Sequence, residues 1–170
     1  MSDSTSLGAV QIGAALPGGR SLRARIDGEM AHLLNHLLHL HFDLNGAYDS
    51  ALSRIDDDDL RLRMSRMRDS HIGIIAEISA LVVALGKTPT RSGDWHGVLE
   101  RGRVVLGDLR GQRGIIEAMA SNEEELSGAY REALAHPGLP ADVAQVLSKA
   151  SQQEAVHRAF YNELLGRFVG

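Results

Sequence analysis

Residues 41–52 read HFDLNGAYDSAL, and residues 123–134 repeat this pattern without gaps as EEELSGAYREAL. The two segments share leucine, glycine, alanine, tyrosine, alanine and leucine at matching places. In both segments the apolar residues recur every three or four positions, which is the spacing of the buried face of an α-helix. The chain is therefore predicted to consist of two related helical hairpins, with one copy of the pattern in the first helix of each.

Four apolar stripes with helical spacing run through the chain. They extend from Met30 to Leu52, from Leu60 to Leu85, from Ile116 to Ala133 and from Val143 to Phe168. Stripes of this length favour four long helices that bury one face each. The predicted helices span about residues 27–55, 59–86, 113–135 and 140–168.

The connections between these helices predict the topology. Four aspartates at 56–59 and the segment HPGLP at 136–140 mark short turns, whereas residues 87–112 form a long connection that contains a predicted short helix from about Trp95 to Leu109. Two hairpins joined by one long crossover is the connectivity of ferritin-like bundles. We predict an all-α, left-handed four-helix bundle.

The domain organisation is predicted to be simple. Residues 1–20 are rich in glycine, serine and alanine and are expected to form a flexible N-terminal arm, while residues 21–170 form a single domain.

The composition excludes several classes of protein. There is no cysteine, so disulfides and thiolate metal sites are excluded, and any metal must be held by nitrogen and oxygen ligands. A formal net charge of −4 argues against nucleic acid as a partner. No uninterrupted apolar run is long enough to cross a membrane, and the N-terminus carries no basic leader pattern. We expect a cytoplasmic protein.

Five ionisable side chains interrupt the apolar stripes near the middle of the predicted helices. They are His41, His71, Glu123, Glu154 and His157. If the helices pack side by side, these groups converge at one level of the bundle. Burying an unpaired ionisable group costs several kcal/mol, so their convergence requires a metal ion, a salt bridge or a proton relay.

Several short segments match a known family. They are Leu34-Asn35-His36-Leu37-Leu38, Asp43 with Tyr48, Ala84-Leu85-Gly86-Lys87-Thr88-Pro89, Ser92-Gly93 with Trp95, and Ala129-Tyr130-Arg131-Glu132-Ala133-Leu134. Through them the chain resembles the ferritin-like superfamily, and more closely a bacterial group of ferritin-like four-helix-bundle proteins of unassigned function. The resemblance covers residues 30–168.

The resemblance implies a site of the di-iron type that is altered in one half. Di-iron members supply a glutamate from the first helix of each half and a Glu-x-x-His motif from the second. The second half has both, as Glu123 and Glu154-Ala-Val-His157. The first half has His41 and Arg68-Asp-Ser-His71 at the corresponding places, which argues against two bridged metal ions.

Two hypotheses for the five residues remain open. In the first, they hold one metal ion, with Zn, Fe or Mn suited to imidazole and carboxylate ligands. In the second, the bundle is metal-free and acts as an interaction module that dimerises through its helical faces. Its buried network would pair Arg68 with Glu154 or Glu123, and would bond the histidines to Tyr48 or Tyr130. A homodimer is expected under either hypothesis, and the sequence leaves open whether the protein is an enzyme.

A second set of histidines, His32, His36 and His39, shares one face of the first helix. Such a face could bind a metal ion at the surface or form a contact between subunits that responds to pH. Partial exposure without a dedicated ligand is the expected state.

Overall fold

The computed structural model describes residues 17–91 and 111–168, with side chains from Arg25 onward. Within these ranges the chain forms four helices and no strand. They are α1 (Pro17–Leu52), α2 (Asp58–Ala84), α3 (Gly111–Leu134) and α4 (Ala141–Arg167). The predicted all-α architecture of four long helices is confirmed.

The direction of the helices follows from contacts between them. The ammonium of Lys149 on α4 lies 2.9 Å from the carboxylate of Glu77 on α2. The Arg63 guanidinium lies over the Phe160 ring, nearer the start of α2 and the end of α4. Because the residue numbers run in opposite directions between these two contacts, α2 and α4 are antiparallel.

The same reasoning fixes α1 against its neighbours. His41 contacts Tyr130, and Tyr48 contacts Glu123, so α1 is antiparallel to α3. The turn after α1 is short, and α1 is antiparallel to α2 as well. Helices α2 and α3 are therefore parallel, and the end of α2 and the start of α3 lie at opposite ends of the bundle. The predicted helix Trp95–Leu109 lies outside the described residues.

The core consists of the predicted apolar stripes. Side chains from all four helices that are at most 1% exposed include Met30, Leu34, Leu37, Met64, Ile78, Ile116, Met119, Leu126 and Leu147. Each fully buried aliphatic side chain of this size contributes about 1.5–3 kcal/mol relative to an exposed one. The periodicity of the sequence thus identifies the buried faces. None of the helices in the described ranges has an apolar stretch sufficient to cross a bilayer.

The ends of the helices differ from the prediction mainly in α1. This helix begins at Pro17 rather than at about Asp27, so residues 17–20 of the predicted arm are helical. Proline is compatible with the first turn of a helix because that turn needs no backbone donor at this position. Helix α2 ends close to the predicted stop, where Gly86 adopts a φ of +70° that glycine tolerates without strain.

Helix α2 begins with a side-chain cap. The backbone of Asp57 is extended, and its Oδ1 accepts a hydrogen bond from the Leu60 amide at 2.8 Å. We expect Asp57→Ala to lower the free energy of unfolding by about 1 kcal/mol, because an amide of the first turn loses its acceptor. Urea unfolding followed by circular dichroism measures this loss. Asp56→Ala, at the exposed neighbouring position, is the matched control and should change little; equal losses in both variants would contradict the role of the cap.

Candidate metal centre

The five polar residues of the stripes lie together in the interior of the bundle. Helix α1 supplies His41, α2 supplies His71, α3 supplies Glu123, and α4 supplies Glu154 and His157. All five are buried, with at most 5% of each residue exposed. Each of them occupies a position that an apolar residue would otherwise take in its stripe, so helix packing alone brings them inward.

Four of the five form a compact group. One nitrogen or oxygen from each of His71, Glu123, Glu154 and His157 lies within 4.8 Å of those from the other three. In residues 17–91 and 111–168 this is the single group of three or more such side chains with metal-binding spacing. The structure therefore brings together four of the five predicted residues.

The distances within the group suit ligands of one ion. His71 Nε2 lies 3.5 Å from Glu123 Oε1. His157 Nδ1 lies 3.5 Å from Glu154 Oε2 and 3.9 Å from Glu123 Oε1. Atoms placed tetrahedrally at about 2.0–2.2 Å from a metal are separated by about 3.3–3.6 Å. A small rearrangement of side chains would place one nitrogen or oxygen of each residue around a common centre.

The hydrogen bonding of the group is incomplete. His71 Nε2, Glu123 Oε2, both oxygens of Glu154 and His157 Nδ1 are buried and have no hydrogen-bond partner among the described residues. Leaving one such buried group unsatisfied costs about 1–3 kcal/mol. Each of the four residues thus has at least one buried nitrogen or oxygen without a hydrogen bond, and their ligand atoms lie within 4.8 Å of one another. This arrangement fits a metal ion bound by two imidazoles and two carboxylates.

His41 lies beside the group rather than in it. Its Nδ1 is 3.0 Å from His71 Nδ1, and its Nε2 is 2.8 Å from the Tyr130 hydroxyl. Only one of two neutral imidazoles can donate in the first contact. If His71 donates from Nδ1, its Nε2 retains the lone pair that a metal needs, and His41 donates from Nε2 to Tyr130. Partners of this kind fix the orientation and tautomer of a histidine ligand.

Three buried tyrosines surround the group. Tyr48 donates a hydrogen bond of 2.6 Å to Glu123 Oε1, and Tyr130 contacts His41 as described. Tyr161, also fully buried, lies close enough to interact with Tyr48. Sequence reasoning assigned Tyr48 and Tyr130 to the site but treated Tyr161 as an ordinary core residue. The signal was present, because the chain has only three tyrosines and each falls on a buried stripe.

The pKa values of the two carboxyl groups, Glu154 and Glu123, are shifted in opposite directions. Burial raises the pKa of Glu154 to about 9, an effect that the charge of Glu123 reinforces and His71 opposes. Burial also acts to raise the pKa of Glu123, but hydrogen bonding and charge from His71, with the Tyr48 hydroxyl, lower it below its usual value. At neutral pH and without a metal, Glu123 is ionised and Glu154 carries a proton.

Burial keeps the imidazoles of His157 and His41 in their neutral form. Burial lowers the pKa of His157, with the charge of Glu123 acting in the opposite direction. Burial, together with His71 and His157, lowers the pKa of His41 well below its usual value. Both imidazoles are therefore neutral at pH 7, which is the form that binds or supports a metal ion.

The position of Arg68 contradicts one prediction. It was expected to pair with Glu154 or Glu123, but its guanidinium lies 2.8 Å from Asp49 and 3.2 Å from Asp69. Its side chain is 32% exposed. A guanidinium loses less hydration when it pairs with exposed carboxylates at the rim than when it enters the core. No positive charge from Arg68 therefore enters the buried group, and the metal-free network of the second hypothesis lacks its cation.

The second set of histidines lies on a different part of the bundle. His32, His36 and His39 border a cleft of about 440 Å³ beside the segment that follows α2. His39 Nε2 bonds the Thr90 hydroxyl at 2.9 Å, and the Thr90 amide donates to Asn35 at 2.7 Å. His39 thus serves in part to hold residues 88–90 against α1, and these three histidines do not meet the spacing of a metal group.

Comparison with known proteins identifies the family. The model of a domain of unknown function, DUF2383, matches residues 29–136. This chain belongs to that family. The DUF2383 match includes His41, His71 and Glu123 but ends before α4, which supplies Glu154 and His157. None of the curated proteins matches the sequence.

Two solved structures show the same fold as this DUF2383 chain. A conserved hypothetical protein of Mycobacterium tuberculosis, rv2844, aligns with a TM-score of 0.66 and 15% identity, over 82% of this chain and 93% of that one. The bacterioferritin of Desulfovibrio desulfuricans, described with a diiron site, aligns with a TM-score of 0.65 and 19% identity, over 85% and 82%. The predicted ferritin-like fold is confirmed, and identities this low support the fold alone.

Proposed function

We propose that this protein binds a single divalent transition-metal ion between His71, Glu123, Glu154 and His157. The observation that carries the proposal is that four buried residues place ligand atoms within 4.8 Å of one another and that each has a buried nitrogen or oxygen without a hydrogen bond. Together these residues leave several buried acceptors unpaired, and one cation satisfies them at once. Two carboxylates also balance the charge of a divalent ion.

One ion fits this ligand set better than two. A pair of metal ions about 3.5–4 Å apart relies on bridging carboxylates, and the group contains only Glu123 and Glu154. The first half of the chain contributes His71 alone to the group, and His41 is engaged with Tyr130. The site is therefore proposed to be a mononuclear remnant of a di-iron-type centre.

The ligand types limit the metal without selecting one. Two imidazoles and two carboxylates suit Zn(II), Fe(II) and Mn(II). These four ligands would complete a tetrahedral Zn(II) site, whereas Fe(II) or Mn(II) could accept water or a small ligand as well. When bound, the ion would supply a Lewis acid and, if iron or manganese, a redox centre. The chain's own contribution is to orient His71 through His41 and Glu123 through Tyr48, and to exclude bulk water.

Metal analysis of the purified protein tests the proposal. Protein prepared without an affinity tag and loaded with Zn(II), Fe(II) or Mn(II) should retain about one ion per chain after gel filtration, because the four ligands can coordinate a single ion. His157→Ala and Glu123→Gln should reduce the bound metal at least about tenfold. His32→Ala and Glu117→Gln, at exposed positions on α1 and α3, are the matched controls and should retain it.

The alternative function is a metal-free bundle that acts as an interaction module. The same experiment separates the two, since wild-type protein that holds much less than one ion with all three metals would favour the alternative. The position of Arg68 counts against the alternative, because the buried carboxylates have no cation among the described residues other than the histidines. Dimerisation stays a prediction under both.

A further inference from the structure

A groove of about 600 Å³ lies between α2 and α4, and His157 of the metal group is among the residues that line it. These two helices pack less closely than α1 with α2 or α3 with α4. His157 borders the groove, and its side chain is 7% exposed, whereas those of His71, Glu123 and Glu154 are at most 1% exposed. Of the four proposed ligands, His157 is thus the one that a molecule in the groove can approach.

The groove has a positive edge. Arg63 and Arg66, three residues apart on one face of α2, both border it. Arg63 lies over the Phe160 ring, and neither guanidinium forms an ion pair within the described part of the chain. The acidic residue of the groove, Glu163, is engaged with Arg167 at 2.6 Å. Two arginines without carboxylate partners are therefore available to an anion.

The rest of the groove is mainly apolar. Met67, Val156 and Phe160 line it, and Val156 is 66% exposed. The Ser70 hydroxyl also borders the groove, where it is buried without a hydrogen-bond partner among the described residues. An apolar surface beside paired guanidinium groups, with one unused hydroxyl, matches a molecule that has an apolar body and one carboxylate.

We propose that the α2–α4 groove binds a small aromatic or aliphatic carboxylic acid beside the metal centre. The carboxylate pairs with Arg63 and Arg66, and the apolar body packs against Met67, Val156 and Phe160. In this position the ligand covers the exposed edge of His157. The role of the bound acid rests on the proposed metal centre, but its binding to the groove does not require the ion.

Titration of metal-free protein with 2-naphthoate tests the groove itself. The fluorescence anisotropy of 2-naphthoate should rise on binding. The neutral isostere 2-naphthalenemethanol should bind at least about tenfold more weakly because it lacks the negative charge of the carboxylate. Arg66→Gln should weaken binding of 2-naphthoate about five- to tenfold, and Val156→Asp should weaken it further by repulsion. Arg113→Gln, which removes an exposed arginine on α3, is the control and should bind as the wild type does.

Equal binding of the acid and the alcohol, or no effect of Arg66→Gln and Val156→Asp in variants with wild-type circular dichroism, would overturn the proposal. So would the absence of binding. The link to the metal centre is tested with Co(II)-loaded protein, whose visible spectrum should change as 2-naphthoate saturates the groove. Failure to bind Co(II) would count against the metal centre, while the titration of metal-free protein would still decide the groove.

Discussion

The Glu154→Gln variant is expected to lose metal binding and yet to be more stable than the metal-free wild type at neutral and alkaline pH. Burial raises the pKa of Glu154 to about 9. The unfolded chain therefore releases a proton from this residue between about pH 4.5 and 9 that the folded, metal-free chain retains. The stability of the metal-free wild type falls as the pH rises through this window. Glutamine has no proton to release and avoids this cost.

The expected size of the effect follows from the same linkage. With a pKa of 4.5 in the unfolded chain and about 9 in the folded chain, the gain from Glu154→Gln should be about 1 kcal/mol at pH 5 and on the order of 4–5 kcal/mol at pH 8, as urea unfolding of metal-free protein would measure. Affinity for Zn(II) should fall at least about 100-fold, because an amide cannot supply the anionic oxygen. Glu117→Gln, at an exposed position on α3, is the control and should leave both quantities unchanged.

Higher stability together with weaker Zn(II) binding in Glu154→Gln would show that Glu154 is a metal ligand and not only a structural partner of a buried cation. If Glu154 served only to pair with a buried cation, its loss would destabilise the fold by several kcal/mol at every pH, with or without metal. A destabilised Glu154→Gln variant that still binds Zn(II) as tightly as the wild type would therefore contradict the proposed site.

Metal affinity itself is expected to rise with pH. At neutral pH without metal, Glu154 is protonated while Glu123 is ionised and His157 is neutral. Binding of a divalent ion must displace the proton of Glu154, so affinity for Zn(II) should increase about tenfold per pH unit between pH 6 and 8. Calorimetry in two buffers of different ionisation enthalpy should show that the wild type releases about one proton more per ion bound than Glu154→Gln does.

The proton of Glu154 should account for about one power of ten in affinity per pH unit. In Glu154→Gln, the slope should therefore be smaller by about this amount, whereas Glu117→Gln should keep the wild-type slope. A wild-type affinity that stays constant from pH 6 to 8 would show that Glu154 is already ionised or takes no part in binding.

Helical periodicity predicts the fold and most of the candidate site. The buried faces, the two hairpins and the inward position of all five polar residues follow from spacing, because a residue on an apolar stripe has no other direction in a packed bundle. Periodicity places a side chain on a face but does not specify its rotamer or its partner. It therefore placed His41 with the ligands, although its imidazole contacts Tyr130 and His71 from the side.

Arg68 and the start of α1 show two further limits of prediction from the sequence pattern. Arg68 was placed near the centre because it aligns with Glu154 in the repeat, but a long, flexible side chain can turn outward to the exposed Asp49 and Asp69. The start of α1 was placed too late because the Pro-Gly-Gly segment has low helix propensity, which an adjoining long helix can override. Both outcomes depend on tertiary surroundings that local pattern does not contain.

The division of the ligands between the two hairpins has a consequence for assembly. The first hairpin supplies only His71, and the second supplies Glu123, Glu154 and His157. Neither hairpin supplies all four proposed ligands, so an ion bound at this site would link the two repeated halves through its coordination bonds. Metal uptake would then report whether the halves have docked, and a separated second hairpin would compete for the ion with one ligand missing.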